Sequence, residues 1–242
     1  MKTRRVAVIL AGGKGTRLAP YTAIFPKPLV PLGQYPVVEI LVRQLVASGF
    51  NELIFSTGYL AELLEAYFHN HPLKKNGIIF SWIKEQAPLG TAGPLRLIED
   101  LPENFLVLNG DLFTTLDFEG LYLNHLASDA ALTIAMHSKS IKLQLGVIKH
   151  HGCSVIEYLE KPVHEHHVSM GIYAYSRRVL SYIPEGGKMD FPELVNTLIK
   201  AGERVQCEIS TARWLDIGNP DDYAAAQEEF TLDPSVYLKE TR

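Results

Sequence analysis

Cysteine is scarce: Cys153 and Cys207 are the only two in a chain of 242 residues. Two thiols cannot build the framework of bridges that holds small secreted domains, and they lack the spacing of a zinc site, so both are expected to be reduced. Long apolar runs are missing as well. The run from Val6 to Ala11 behind the basic start is too short for the core of a secretory leader, and no stretch approaches the length that spans a bilayer. The expectation is a soluble, cytoplasmic protein with no membrane partner. Positive charge is not in surplus either: Lys and Arg total 23 against 27 Asp and Glu, a formal net charge of −4. That argues against a nucleic-acid binder, which needs a strong positive field, while leaving room for a local basic pocket. No low-complexity linker divides the chain, and no period of about 20–50 residues repeats.

What remains is an ordinary globular composition, 47% hydrophobic and 21% charged, in a chain long enough for a real core. Residues 5–10 form a nearly continuous β-prone apolar run, the pattern of a strand buried on both faces. Further strands are expected at 51–57, 77–83, 104–110 and 131–137, with helices between them at 36–49, 60–71 and 91–100. In the first helix Val38, Leu41, Val42, Leu45 and Val46 recur at helical spacing, and Gly49 follows as its C-terminal stop. Strands alternating with helices imply a mixed, mainly parallel sheet with helices on both faces. After about residue 140 the texture changes. Residues 143–162 read as a hairpin turning near His151 and Gly152, and 167–176 as a strand. Helices are expected near 176–183 and 190–202, and strands at 204–209 and 213–218. Asn219-Pro220-Asp221-Asp222 has the makings of a helix start: a cap, a first-turn proline and two dipole-matching carboxylates. The whole reads as one α/β domain.

The stretch from Leu10 to Leu32 packs three glycines, two lysines, an Arg and four prolines in behind the first strand. In an open α/β sheet ligands bind beyond the carboxyl ends of the strands, where this segment begins. Gly12, Gly13 and Gly15 permit positive φ and let backbone N–H groups approach a polyphosphate closely. Arg17 adds a planar fork suited to phosphate oxygens, and Lys27, between Pro26 and Pro28, is a cation on a stiffened backbone. The spacing fits neither the dinucleotide fingerprint nor a P-loop. The residues alone leave two readings, a phosphate cradle and a structural turn.

LAGGKGTRL at 10–18 followed by PKPL at 26–29 resembles the signature of the nucleoside-triphosphate:sugar-1-phosphate nucleotidyltransferases. PLGTAGPL, VLNGD, LEKP, GIYAYS and WLDIGNPDDY then occur in that family's order, so the resemblance runs over nearly the whole chain. PLGTAGPL is most similar to the mannose-1-phosphate guanylyltransferase branch, and related bacterial enzymes act on heptose 1-phosphate. The resemblance implies a single Rossmann-like, GT-A-like nucleotidyltransferase domain over 1–242, with a nucleotide-binding half at about 1–115 and a sugar-phosphate-binding half at about 116–230. The hexapeptide β-helix extension of some members is missing. The implied reaction is attack of a sugar 1-phosphate on the α-phosphorus of a nucleoside triphosphate, with pyrophosphate leaving and Mg²⁺ assisting.

Within that resemblance Leu10, Ala11, Gly12, Gly13, Gly15, Thr16, Arg17 and Lys27 belong to the nucleotide site, with Pro88, Gly90, Thr91, Asn109 and Gly110. Arg17, Lys27 and Asp111 are the catalytic candidates, and Asp111 and Asp216 the metal pair. By themselves Asp111 reads as a turn cap and Asp216 as one member of a surface ion pair; the metal role comes from the resemblance. Lys161 is expected to hold the sugar phosphate, Glu160 a sugar hydroxyl, and Gly146 to offer its backbone. Ser169, ahead of Gly171, stands where the family often has Asn, a departure that bears on sugar identity. Glu85 borders the base in this scheme. Guanine presents two adjacent donors that one carboxylate accepts together, whereas uracil and thymine present a single N–H flanked by carbonyls, so GTP is favoured. The competing reading is an exposed loop glutamate.

The histidines at 150–151 and 164–167 lack the spacing of a helical zinc pair, and Trp82 and Trp214 read as core. Asp117, Asp221 and Asp222 are expected to be solvated or helix-capping. The tail from Thr231 either packs on the core or serves a homo-oligomer. Competing functions are a uridylyl-, thymidylyl- or cytidylyltransferase of the same family, a non-catalytic nucleotide-sugar-binding regulator, and a metal-dependent glycosyltransferase. Retention of Arg17, Lys27, Asp111, Lys161 and Asp216 speaks against the regulator. Asn109-Gly110-Asp111 in place of a carboxylate pair speaks against the glycosyltransferase.

Overall fold

The computed structural model describes residues 3–85 and 87–238, so Gln86 and the last four residues of the tail lie outside it. In chain order the elements are β1 (Val6–Ala11), β2 (Pro31–Leu32), β3 (Tyr35–Pro36), α1 (Val37–Ala47), β4 (Glu52–Thr57), α2 (Ala61–His69) and β5 (Ile79–Lys84). There follow β6 (Asn104–Asn109), β7 (Leu112–Thr114), α3 (Phe118–Leu126), β8 (Leu132–Lys142), β9 (Val147–His151), β10 (Ser154–Leu159) and β11 (Val163–Ser176). The chain continues through α4 (Phe191–Lys200), β12 (Val205–Ser210), β13 (Trp214–Asp216) and α5 (Pro220–Leu232).

β1 is apolar throughout because both of its faces are covered. Ala7 and Ile9 point into a core with Val38, Leu41 and Leu45 of α1, Leu64 and Phe68 of α2 and Phe118 of α3. Val6 and Val8 point the other way, to Leu95, Val179 and Leu194 and Leu198 of α4. The period of two thus feeds two separate helical layers. α1 ends in the motif its Gly49 requires: φ is +86° there, the Gly49 N–H donates to Val46 and the Phe50 N–H to Leu45, both at 3.0 Å. The Asn219 side chain accepts from the Asp221 and Asp222 amides at the start of α5, and Asp117 caps α3 in the same manner.

Seven strands form the central sheet in the order β12-β8-β11-β6-β1-β4-β5. β11 alone runs against the others. From β1 the chain builds outward through β4 and β5, then returns to lay β6 on the opposite side of β1. That reversal makes the crevice between the carboxyl ends of β1 and β6 the expected ligand position. β7 and β13 form a separate antiparallel ribbon that sets Asp216 opposite Leu112. No described helix is long and apolar enough to cross a membrane.

The pattern of elements differs from expectation in three places. Residues 91–100, expected to be a helix, make one 3₁₀ turn at Gly93–Leu97, because Pro94 interrupts and the Ala92 and Gly93 amides donate to Met189 at 3.0 and 3.1 Å. The helix near 176–183 is likewise a 3₁₀ turn, Arg177–Tyr182. α3 escaped the sequence reading because Gly120 sits in its first turn and its apolar periodicity is weak. The expected hairpin is present as β9–β10, with Gly152 at φ +57° in the turn. Both cysteines are free and exposed. The tail packs on the core as far as it is described: Tyr237 is fully buried and stacks on Phe113 at 3.8 Å.

His125 of α3 is 1% exposed, its Nδ1 2.8 Å from the Thr133 hydroxyl. Burial, aided by the Arg178 charge, pushes its pKa down from 6.5 to about 4. The unfolded chain then binds the proton first, so stability present above pH 6.5 is lost as pH falls toward 4. Urea titrations across that interval should show a decline of up to about 3 kcal/mol attributable to this group. In His125→Gln the decline should be shallower by that amount, and parallel wild-type and variant curves would contradict the assignment.

Candidate active site

A cleft of about 660 Å³ opens at the carboxyl ends of β1, β4, β5 and β6, within the usual range for a small-ligand site. Leu10, Ala11, Gly12 and Gly13 form its floor. The loop must carry glycine at definite places. At Gly15 φ is +61°, and an added Cβ would lie 2.9 Å from Thr22 and 3.0 Å from Lys27. At Gly12 it would lie 2.8 Å from the Glu85 carboxylate, whereas Gly13 faces open space. The loop then turns as Thr16–Leu18, held by the Leu18 N–H donating to Gly15 at 2.9 Å. Thr16 and Arg17 are exposed on this turn, with the Arg17 guanidinium beside Gly218.

Lys27, Asp111 and Asp216 meet at the edge of this cleft. Pro26 fixes the start of the 3₁₀ turn Lys27–Leu29, and Lys27 projects from it. Asp111 follows β6 through Gly110, where a Cβ would crowd the Leu10 carbonyl at 3.1 Å. Asp216 arrives on β13, whose pairing with β7 also lets the Ile217 N–H donate to Asp111 O at 3.2 Å. The Lys27 ammonium pairs with Asp111 Oδ2 and lies 3.7 Å from Asp216 Oδ1. Lys27 and Asp111 are 13% and 17% exposed, Asp216 45%. Burial raises the Asp111 carboxyl above the usual range, Lys27 opposes the rise, and Asp216 adds to it.

Asp111 Oδ1 and Asp216 Oδ1 are both buried without a hydrogen-bond partner. Two orphaned carboxylate oxygens, one from the turn after β6 and one from β13, are the donor chemistry a hard divalent cation takes, so these residues fit Mg²⁺. No group of three or more His, Cys, Asp or Glu among the described residues could hold a metal. That suits an ion that keeps most of its waters and leaves the histidines of β9 and β11 out of such a site.

At the far end of the cleft Glu85 leaves β5 with both carboxylate oxygens engaged. Oε1 accepts from the Ser56 hydroxyl at 3.3 Å and Oε2 from the Leu89 N–H at 3.0 Å. The group is therefore held against Gly12 and is not a free loop side chain. Pro88, Gly90 and Thr91 line the same end. Gly90, φ +82°, answers a structural demand: a Cβ would lie 2.5 Å from the Met189 carbonyl. The Thr91 hydroxyl accepts from the Phe191 N–H at 2.7 Å, and its own N–H donates to Asp190, so it caps α4.

The sugar-phosphate candidates fall into two groups. Gly171, φ +72°, lies against Asn109, which lines the cleft. Ser169 stands beside it, but its hydroxyl donates to Tyr173 (3.1 Å) and accepts from the Gly171 N–H (3.2 Å), so its donor is spent inside the protein. Glu160 and Lys161 are 62% and 50% exposed on the hairpin, and neither they nor Gly146, which abuts the Tyr158 hydroxyl, line the cleft. Lys14, Ser56 and Tyr59 do line it and were missed. The rule that loops after parallel strands face the ligand, applied to β4, would have found Ser56 and Tyr59.

The family profile described as "Nucleotidyl transferase" matches residues 6–232. Among characterised proteins the chain is 30% identical over 226 residues to the D-glycero-α-D-manno-heptose 1-phosphate guanylyltransferase of Aneurinibacillus thermoaerophilus, covering 92% of this chain and 97% of that one. It is 30% identical over 240 residues to the UTP–glucose-1-phosphate uridylyltransferase of Synechocystis, covering 90% of this chain but 61% of the relative's length. The structure of HddC from Yersinia pseudotuberculosis complexed with GMP-PN superposes with a TM-score of 0.71 at 27% identity, covering 93% of this chain and 99% of that one.

If the orphaned oxygens hold a cation, titrating Mg²⁺ into the protein without substrates should raise its melting temperature. Asp111→Asn, which removes one charged ligand, should abolish the rise. An equal rise in the variant would place the cation elsewhere.

Proposed function

The chain belongs to the nucleotidyl transferase family, and from that premise we propose that it moves a guanylyl group from GTP to a mannose- or heptose-type sugar 1-phosphate, giving a GDP-sugar and pyrophosphate with Mg²⁺ bound. The observation that carries this reading is the placement of Lys27 between Asp111 and Asp216 beside the glycine loop, at the sheet's reversal point.

The difficulty of the reaction is electrostatic. Two polyanions must meet, and each pair of charges at about 4 Å repels by roughly 4 kcal/mol in a partly dehydrated site. A sugar phosphate is already a competent nucleophile, so neutralisation and alignment matter more than a general base. Amides of Gly12, Gly13 and Gly15 and the cations of Arg17 and Lys27 receive the triphosphate. A sugar-phosphate oxygen bonds to the α-phosphorus as the bond to the β-phosphate oxygen breaks, and the electron pair leaves with pyrophosphate. Asp111 and Asp216 would hold Mg²⁺, which supplies further charge neutralisation when bound.

Guanine selection rests on Glu85. Its carboxylate, fixed by Ser56 and Leu89, keeps a lone pair on each oxygen for guanine's adjacent N1–H and amino group. The guanylyl activity named for the heptose relative favours this choice, and the uridylyl activity of the Synechocystis relative is the alternative it must exclude. Gly146, Glu160, Lys161, Ser169 and Gly171 make up the proposed sugar-phosphate side. Glu160 and Lys161 reach the reacting phosphate only if the hairpin that carries them approaches the cleft.

Pyrophosphate release from four nucleoside triphosphates, each with a panel of sugar 1-phosphates, tests the assignment. GTP should exceed UTP, CTP and ATP by at least about tenfold in kcat/KM, and Glu85→Gln should erode that preference by about 10–100-fold. Lys27→Met should lower kcat/KM by about 100–1,000-fold with the circular dichroism spectrum unchanged. Preferential turnover of UTP would discard the guanine reading.

A further inference from the structure

A second hollow, of about 760 Å³, lies at the end of the sheet opposite the cleft. It begins where β11 stops: Ser176 pairs with Asn104, the first residue of β6, and Arg177 and Arg178 follow at once. Ile98 and Leu180 line it, and both belong to the core layer that covers this side of the sheet. Its volume is that of a small-ligand site, and the chemistry of the cleft makes no use of it.

Three arginines and two glutamates line the hollow, in a chain whose net charge is −4. The arginines differ in how firmly they are held. Arg178 is fixed: its Nε pairs with Glu203 at 3.1 Å and its Nη2 donates to the Asp129 carbonyl at 2.9 Å. Arg177 is not. Among the described residues its guanidinium makes one hydrogen bond, to the Leu101 carbonyl at 3.3 Å, and the Glu103 carboxylate stands off at 3.8 Å. Arg96 pairs with Glu185 at 2.5 Å, but that glutamate is 82% exposed, and so open a pair contributes little. A ligand can therefore take Arg96 from Glu185 with little loss. Arg96 and Arg177 are then two planar forks on one hollow, suited to the oxygens of an oxyanion. A phosphate monoester carries close to two negative charges near neutral pH and balances both, whereas a carboxylate balances one. Glu99, the other glutamate on the wall, only accepts hydrogen bonds, so it favours an ester whose body carries hydroxyls.

The two cavities share a wall. Within one segment Gly90, Thr91 and Pro94 line the cleft, while Arg96, Ile98 and Glu99 line the second hollow. This segment is clasped to a distant one. The Ala92 and Gly93 amides donate to Met189 at 3.0 and 3.1 Å, and the Met189 amide donates to Leu89 at 2.9 Å. Leu180, Glu185 and Gly186, just before that clasp, complete the hollow. A ligand bridging Arg96 and Arg177 would thus tie together two segments whose continuation shapes the cleft. We propose that this hollow binds a phosphate monoester, and that the bound ester steadies the clasp between Leu89–Gly93 and Met189.

Isothermal titration calorimetry of the full chain with glycerol 3-phosphate tests this independently of the reaction assigned to the cleft. The expected result is one saturable site that survives Lys27→Met. Arg96→Gln and Arg177→Gln should each weaken it by at least about tenfold, the loss of one charge-assisted partner. Acetate should bind more weakly than the ester, and glycerol not at all. Absence of binding, acetate binding as tight as the ester's, or a site lost in Lys27→Met and kept in both arginine variants would each overturn the proposal. Hydrogen exchange of the Ala92 and Gly93 amides reads the clasp in the wild-type protein and needs no variant. Exchange that slows as glycerol 3-phosphate saturates the site supports the proposal. Saturation that leaves those amides unchanged overturns the link to the clasp.

Discussion

Lys27 holds two carboxylates that would otherwise repel each other at the mouth of a cleft. Much of the chain serves that one arrangement. Pro26 fixes where the lysine emerges, Gly15 leaves room for its stem, and Gly110 lets β6 close on β1 so that Asp111 reaches it. The β7–β13 ribbon brings Asp216 from a hundred residues further on. The two orphaned oxygens mark what the cluster lacks: the lysine alone does not satisfy both aspartates. Under the proposed function a divalent cation and a polyanionic substrate would complete the charge balance that the protein leaves open.

The glycines divide by cause. Gly12 lies against the Glu85 carboxylate and Gly15 against Lys27, so they shape the ligand site from beneath. Gly90, although it lines the cleft, is demanded by the backbone of Met189, and Gly93 by Gly187 and Leu89. The segment that resembles a base-binding loop is therefore also a structural clasp between the two halves of the chain. Thr91 adds to that clasp by capping α4. Substitutions there would disturb the fold and the cleft together, whereas Glu85 and Ser56 bear on the cleft alone.

Cleft and hairpin follow opposite rules. The cleft gathers charges and glycines where both faces of the sheet are covered, and its floor is rigid because β1 is packed on each side. The β9–β10 hairpin lies beyond the point where β8 and β11 lose their outer neighbours, and leaves Ile148, Val155 and Tyr158 exposed. Glu160 and Lys161 follow directly on the β9–β10 hairpin, so the sugar-phosphate role proposed for them is tied to whatever positions that element.

The first half of the chain was legible because its strands alternate with amphipathic helices, and because LAGGKGTRL falls where a strand ends. β1, β4, β5, β6 and α1 lie within a residue or two of their expected bounds, and the caps at Asn219 and Gly49 are local chemistry that needs no tertiary context. The helix expected at 91–100 failed because a tertiary bond from Met189 overrides local preference. Resemblance named Asp111 and Asp216 as a pair, but their residue types alone did not. What the sequence by itself determined was the alternation of elements, the mixed α/β class and the position of the glycine loop, since each depends on neighbours a few residues apart. What only the tertiary structure decided was that Lys27 meets both aspartates, that Glu85 is locked by Ser56 and Leu89, and that the β9–β10 hairpin stands with both faces exposed. Those depend on strand register and on contacts between distant segments, which no local pattern encodes.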